Sequence, residues 1–240
     1  MEGKTVAGED AEAGPGFLAF GVVHLSSKEP PMPRLTTICL IAAPTLLLAS
    51  ELVSPDLSDD GAASFAAIEA QPGRLAAWIW LGIASAVLLL PAVFGLVPLL
   101  RRRGGLAGGI GAALAVVGAV GYAVHQGMFL QLPLLLEGDR AGMAALYERQ
   151  GESAVFAVVT FLLFLAPLLI GLLLLGVGLY RGGIAPLWSA IALGLAILPS
   201  AVPLPFDVAF APFILLIAGM AGWARAAARA SETGRALQLA

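Results

Sequence analysis

Beyond residue 34 the chain is written almost wholly in apolar runs, broken at intervals by short polar clusters. Six runs, at about 35–53, 75–100, 105–134, 154–180, 185–202 and 206–224, approach or exceed the length a helix needs to cross a hydrocarbon core. An outer-membrane barrel would instead need short segments of alternating polarity. The run AVFAVVTFLLFLAPLLIGLLLLGVGLY is far too continuous for that. The pattern predicts an all-α, polytopic membrane bundle of about six transmembrane helices. The fifth run is short and ends in ILPSAVPLPFD, whose three prolines interrupt a helical ladder. Five spans plus a re-entrant segment is therefore the alternative.

Two polar stretches carry helical signals of their own. SDDGAASFAAIEA offers Ser58 and Asp59 as N-caps, with Phe65 and Ile68 three apart. GDRAGMAALYERQG offers Asp139 as a cap, with Met143, Leu146 and Tyr147 on one face. Both fit short amphipathic helices lying in an interface, as a lid over the bundle. Residues 1–31 differ from the rest: their apolar stretch GPGFLAFGVVHL is too short to span. They are expected to be a disordered cytoplasmic tail or an upstream extension. The bundle proper is expected over 32–226, with a cytoplasmic tail over 227–240. MPRLTTICLIAAPTLLLAS resembles a secretory signal, but no small-x-small cleavage site follows, so it is kept as a span.

Composition agrees with this reading. Hydrophobic residues make up 59% of the chain and charged residues 12%. That is about half the usual charged share of soluble domains. A net charge of −3 argues against nucleic acid, which wants a basic face. The lone cysteine, Cys39, permits no internal disulfide, and with only two histidines there is no soft-ligand metal site. No cofactor motif is present; the G-x-G spacing in GLAGGIGAALAVVG lies inside a span with no strand before it.

Charge placement orients the bundle. With the N-terminus inside, the cytoplasmic segments hold Lys4, Lys28, Arg34, Arg101, Arg102, Arg103, Arg181, Arg225, Arg229 and Arg235. The outer segments hold only Arg74, Arg140 and Arg149. This predicts an inner-membrane protein with both termini cytoplasmic. The outer side also collects acids, among them Glu51, Glu69, Glu137 and Asp207.

Span 3 carries Ala107, Gly111, Ala115, Ala119, Ala123 and Gly127, a series of small residues four apart that suits close helix packing. An internal neighbour or a second protomer could fill it. The opposite face carries Gly118, Tyr122, His125 and Phe129, with Gln126 beside them, and is expected to line something else. Pro91 and Pro167, near mid-span, are candidate kinks that would open a cavity.

Ionisable groups at membrane depth are costly, about 2.5–3.5 kcal/mol on insertion scales, so each is a candidate for function. Glu51, Asp207 and His125 are the candidate catalytic residues. Trp80, Tyr122, Gln126, Phe129, Phe206, Phe210 and Glu69 are candidate substrate contacts at similar depth. Bland roles compete: Glu51 and Glu137 as helix-end acids, Asp207 as a cap on span 6, His125 as an interhelical hydrogen-bonding group. Arg74 is read as an interfacial anchor or an ion-pair partner of Glu69, and Trp78 and Trp80 as an aromatic belt.

The stretch SELVSPDLSDDGAASFAAIEAQPGRLAAWIWLGIASAVLLLPAVFGLVPLLRRRGG resembles the first two spans of small multi-span membrane proteins of high-GC bacteria. The shared parts are an acid and proline after span 1, Pro-Gly-Arg before span 2 and a basic turn after it, within roughly residues 35–130. In general form, a small bundle with intramembrane acids, the chain is also similar to integral-membrane terpene cyclases. That resemblance implies an enzyme acting on a lipophilic, isoprenoid-like substrate by proton-initiated cyclisation, without a cofactor. Glu51 or Asp207 would donate the proton and His125 would act as base or orienting group. The alternatives are a carrier or immunity-type protein and a structural or assembly factor. A proton-coupled carrier is expected to place ionisable groups near the midplane and often to show inverted repeats, and neither pattern is present.

Overall fold

The computed structural model describes residues 33–55, 57, 60–103, 105–132, 139–197 and 210–239, and all the regular elements among them are helical. Helix α1 (Pro33–Val53) leads to the short α2 (Gly61–Ala70), and the long α3 (Pro72–Arg103) follows directly. Helix α4 (Gly105–Met128) tightens into a 3₁₀ turn at Phe129–Gln131. The second short helix, α5 (Arg140–Glu152), precedes α6 (Ala154–Arg181), which is followed by α7 (Leu187–Ile197) and α8 (Ala211–Leu239).

Five of these, α1, α3, α4, α6 and α8, contain segments long and apolar enough to cross a membrane. The expected fifth span is helical over the eleven residues Leu187–Ile197 only, and 198–202 lie outside the described residues. At about 1.5 Å per residue such a helix rises about 16 Å, roughly half the hydrocarbon thickness. The tail expected at 227–240 lies outside the described residues only at Ala240, the rest being a continuation of α8. Residues 1–32 lie outside the description.

The helices form a closed ring in the order α1, α3, α4, α6, α7, α8 and back to α1. Facing residues show that neighbours run antiparallel. Ser85 Oγ donates to the Ala43 carbonyl and Ser50 Oγ to the Trp78 carbonyl, both at 2.8 Å, so α3 descends beside α1. Leu193 and Ser189 of α7 meet Gly219 and Gly222 of α8 in the same reversed order. The turn after α6 shows why a short connection suffices. Gly183 takes φ +65°, its N–H donates to the Tyr180 carbonyl, and the Ile184 N–H donates to the Leu179 carbonyl. That left-handed glycine satisfies carbonyls the helix end would leave orphaned.

Interior packing is tightest between α4 and α6. A Cβ on Gly111, Gly118 or Gly121 would run into the backbone of Leu175, Leu168 or Leu163, and one on Gly171 into that of Ala115. This corrects the expected faces of span 3. Gly111, Ala115 and Ala119 are buried as anticipated, but Ala107 and Ala123 are half-buried and nothing lies near Gly127. Gly118, assigned to the opposite face, is part of the contact. Each residue turns an α-helix by about 100°, so a strict four-residue spacing drifts about 40° per step and wraps around the helix. A neighbouring helix instead follows alternating steps of three and four, here 108, 111, 115, 118. The packed part of this seam is filled by α6 of the same chain.

Two apolar cores result. The larger joins all six ring helices around Leu40, Leu96, Ala115, Leu175, Leu193 and Trp223. The smaller sits at the end of the ring where α2 and α5 lie, and holds Phe65, Ile68, Leu75, Trp78, Phe129 and Leu132. Phe65 and Ile68 thus face inward as their spacing predicted. Asp60 caps α2, its carboxylate accepting from Ala62 N at 2.9 Å and Ala63 N at 3.2 Å. That replaces Ser58 and Asp59, which lie outside the described residues. Asp139 caps α5 as expected, accepting from Gly142 N. The lid helices are also joined directly. Gly61 N donates to Glu148 Oε1 at 3.2 Å, and Phe65 meets Tyr147 at 5.9 Å between ring centroids. Of the face expected on α5, Tyr147 packs inward, Leu146 is exposed and the Met143 side chain lies outside the described residues; Ala144 packs beside Tyr147.

Candidate functional site

The last turns of α4 carry the polar residues that an apolar helix least expects. Tyr122, Gln126 and Phe129 are buried and His125 is half-buried. Steps of four and three set the Tyr122 hydroxyl and Gln126 against Gly82 of α3 and Phe129 against Trp78. His125 meets Thr160 of α6, where the Tyr122 ring also touches Phe164 at 4.7 Å between centroids.

Gln126, only 1% exposed, donates through Nε2 to the Tyr122 hydroxyl at 2.9 Å. The space for this pair comes from Gly82 of α3, where a Cβ would fall 2.5 Å from Gln126 Nε2 and 2.9 Å from the Tyr122 oxygen. Beside it, Ser50 Oγ of α1 donates to the Trp78 carbonyl of α3 at 2.8 Å. Ser50 thus ties α1 to α3, and the Tyr122–Gln126 pair seats α4 against α3 at Gly82. Gln126 Oε1 and Trp78 Nε1 are buried without a protein partner among the described residues, an acceptor and a donor in an otherwise apolar interior.

On the other flank the imidazole of His125 sits among three phenyl rings. Phe129 lies at 5.2 Å, Phe164 at 5.4 Å and Phe156 at 5.6 Å between centroids. Its Nδ1 is 3.1 Å from Thr160 Oγ1. Either partner can donate, and the direction decides whether Nε2 carries the proton or a lone pair. Thr160 belongs to a π-helical stretch, Val158–Leu165, inside α6. Such wide turns are rare and cluster at functional sites. Here it ends just before Pro167, whose missing N–H disturbs the α-ladder. Phe156, Thr160 and Phe164 are spaced four apart, and a wider turn brings such a series closer to one line facing α4.

Between α5, the 3₁₀ turn and the start of α6 lies a cavity of about 590 Å³. Phe129, Phe156 and Tyr147 give it aromatic walls, and Glu148, Gln150, Gly151 and Glu152 complete the lining. Phe129 and Phe156 are the two rings that also flank His125, so the cavity and the imidazole are separated by one layer of side chain. Neither Pro91 nor Pro167 lines it.

The other anticipated residues fall in different places. Glu51 is half-buried near the end of α1 and has no side-chain hydrogen bond among the described residues. Among the described residues, the hydrogen-bond and ring partners of His125 do not include it. Trp80 is 60% exposed on the outside of α3, turned away from the cluster, whereas Trp78 is buried edge-on against Phe129 at 4.8 Å. Glu69 is exposed on α2, and Phe210 is half-buried just before α8. Asp207, Phe206 and Glu137 lie outside the described residues. Arg74 is tied to the end of α1, donating through its guanidinium to the Val53 carbonyl at 3.3 Å and the Ser54 carbonyl at 2.9 Å. A cation there satisfies orphan carbonyls and complements the helix dipole.

Sequence reasoning missed Thr160, Phe156 and Phe164, although a signal was present. Thr160 is the only serine or threonine in its apolar run, with a phenylalanine four residues to either side. It also missed Ser50 and Gly82, whose roles come entirely from the helix across from them.

Fold and site together define a multi-pass helical membrane protein with a lidded, aromatic end. The chain matches no known protein family, and no characterised protein or solved structure is similar to it.

Proposed function

We propose that this protein is a multi-pass enzyme of the bacterial inner membrane that moves protons on a lipophilic, isoprenoid-like substrate. Its termini are cytoplasmic, and α2, α5 and the cavity face outward. The observation that carries this reading is the seat of His125, an imidazole anchored through Nδ1 and lined by phenyl rings that also wall a cavity. An apolar substrate entering beside Phe129 and Phe156 would reach the imidazole along those two rings.

The chemistry needs no co-reactant. Protonation of a carbon–carbon double bond leaves a carbocation, which aromatic faces stabilise as they do other cations. Loss of a proton from a neighbouring carbon to a base then restores a double bond, for a net isomerisation or cyclisation. His125 is the base in this scheme. Glu51 and Asp207 are the candidate donors.

The test is turnover in D₂O by the purified protein with a panel of prenyl alcohols and prenyl diphosphates. A product carrying deuterium on carbon is expected. His125→Gln should lower its rate about a hundredfold, the lower range for a positioned acid or base. Unchanged deuterium incorporation by that variant would remove His125 from the mechanism. Substrate that binds and is returned unlabelled would favour the carrier.

A further inference from the structure

We infer that the cavity under the lid is a site for an organic cation, the ammonium head of an amphiphile whose apolar part lies toward the bundle. The inference stands on the cavity lining and does not require His125 to transfer a proton. Two carboxylates, Glu148 and Glu152, share the cavity with three aromatic rings, Phe129, Phe156 and Tyr147. Among the described residues, no lysine or arginine joins that lining. Rings offer their negative faces to a cation, and quaternary ammonium groups are the ligands such aromatic cages recognise best. A carboxylate beside the rings adds charge complementarity that a neutral or anionic ligand could not use.

The two acids differ in what they already do. Glu148 accepts from the α2 N-terminus at Gly61 N, so it is oriented by the lid. Glu152 ends α5 and stands beside Phe156 across the short step between helices, with no such backbone donor to hold it among the described residues. Gln150 is fixed by Gln131 Nε2, which donates to its Oε1 at 2.7 Å, so the cavity wall is held to the end of α4. The volume, about 590 Å³, falls within the usual range for small-molecule sites. It is ample for a substituted ammonium head with part of its chain.

The experiment is calorimetric binding to the full-length protein in nanodiscs, with empty nanodiscs as blank. The probes are benzyltrimethylammonium and its neutral carbon isostere, neopentylbenzene, which have the same shape. The ammonium is expected to bind at least about tenfold more tightly than the isostere. Glu152→Gln and Phe156→Leu should each remove most of that preference, while Glu152→Asp retains it. Thermal unfolding of each variant shows that the bundle is intact. Equal affinity for the two probes, no ammonium binding by the wild-type chain, or an undiminished preference in Glu152→Gln would overturn the assignment. Ammonium binding without any deuterated product would sustain this site while removing the enzymatic reading.

Discussion

Gly82 shows how a residue with no side chain decides a polar site. Its missing Cβ is the space in which Gln126 meets the Tyr122 hydroxyl, so the amide–phenol pair exists only because α3 yields at that point. Gly82→Ala should therefore cost about 1–3 kcal/mol, the usual range for overpacking. Pairing it with Gln126→Ala should recover part of the loss in a thermal or denaturant unfolding series. By contrast, Ser50→Ala or Ser85→Ala removes one interhelical hydrogen bond, and such bonds average about 0.6 kcal/mol in membrane bundles. Space outweighs hydrogen bonding here, and an unfolding series ranking the serine variants as the more damaging would contradict that. Tyr122, His125 and Gln126 themselves are legible as sequence, because polar groups stand out in an apolar run. Gly82 and Ser50 are not, since their meaning lies in what sits opposite.

At the scale of elements, the pairing of α4 with α6 follows from glycines that let two backbones touch. Gly118→Val should separate the helices near Leu168 and cost about 1–3 kcal/mol, while Gly127→Val, at a position with open space, should cost much less. The two variants compare positions in the last half of one helix, so equal losses would refute the assigned seam. The small residues are visible in the sequence, but the line they follow is not. A strict four-residue ridge wraps around a helix, and only the partner's crossing selects which small residues are used. The π-helical turn of α6 is equally hidden: Pro167 signals a disturbance without saying whether it becomes a kink or a wider turn. The lid helices are more legible. Both helices and the buried Phe65 and Ile68 follow from caps and spacing, although the cap of α2 proves to be Asp60 and α5 leaves Leu146 exposed. Asp60→Ala should destabilise α2 by about 1 kcal/mol and speed amide exchange over Gly61–Ser64 relative to α5.

For the whole molecule, the antiparallel ring places Glu51, Arg74, Gln126, Phe156 and the lid at one end, and Arg101 and Arg181 at the other. The positive-inside rule then predicts which end faces the cytoplasm. In a Cys39→Ser background, Ala145→Cys on exposed α5 should react with a membrane-impermeant maleimide in intact cells. Glu232→Cys, exposed on α8, should react only after the cells are opened. The reverse pattern would turn the cavity toward the cytoplasm and make the proposed external access untenable.

What the chain determined by itself is its solvent and its class. Long apolar runs can satisfy their backbone only as helices when water is absent, so a helical membrane bundle follows from composition and run length alone. Its charge asymmetry likewise predicts an orientation, which the labelling experiment tests. Which polar groups meet was decided only in three dimensions. His125 is seated against Thr160 and three phenylalanines, of which its own span announces only Phe129, while Asp207 lies outside the described residues. The reason is geometric: a residue's own helix sets its depth, but the crossing of neighbouring helices sets its partners. Those crossings depend on small residues that carry no chemistry of their own.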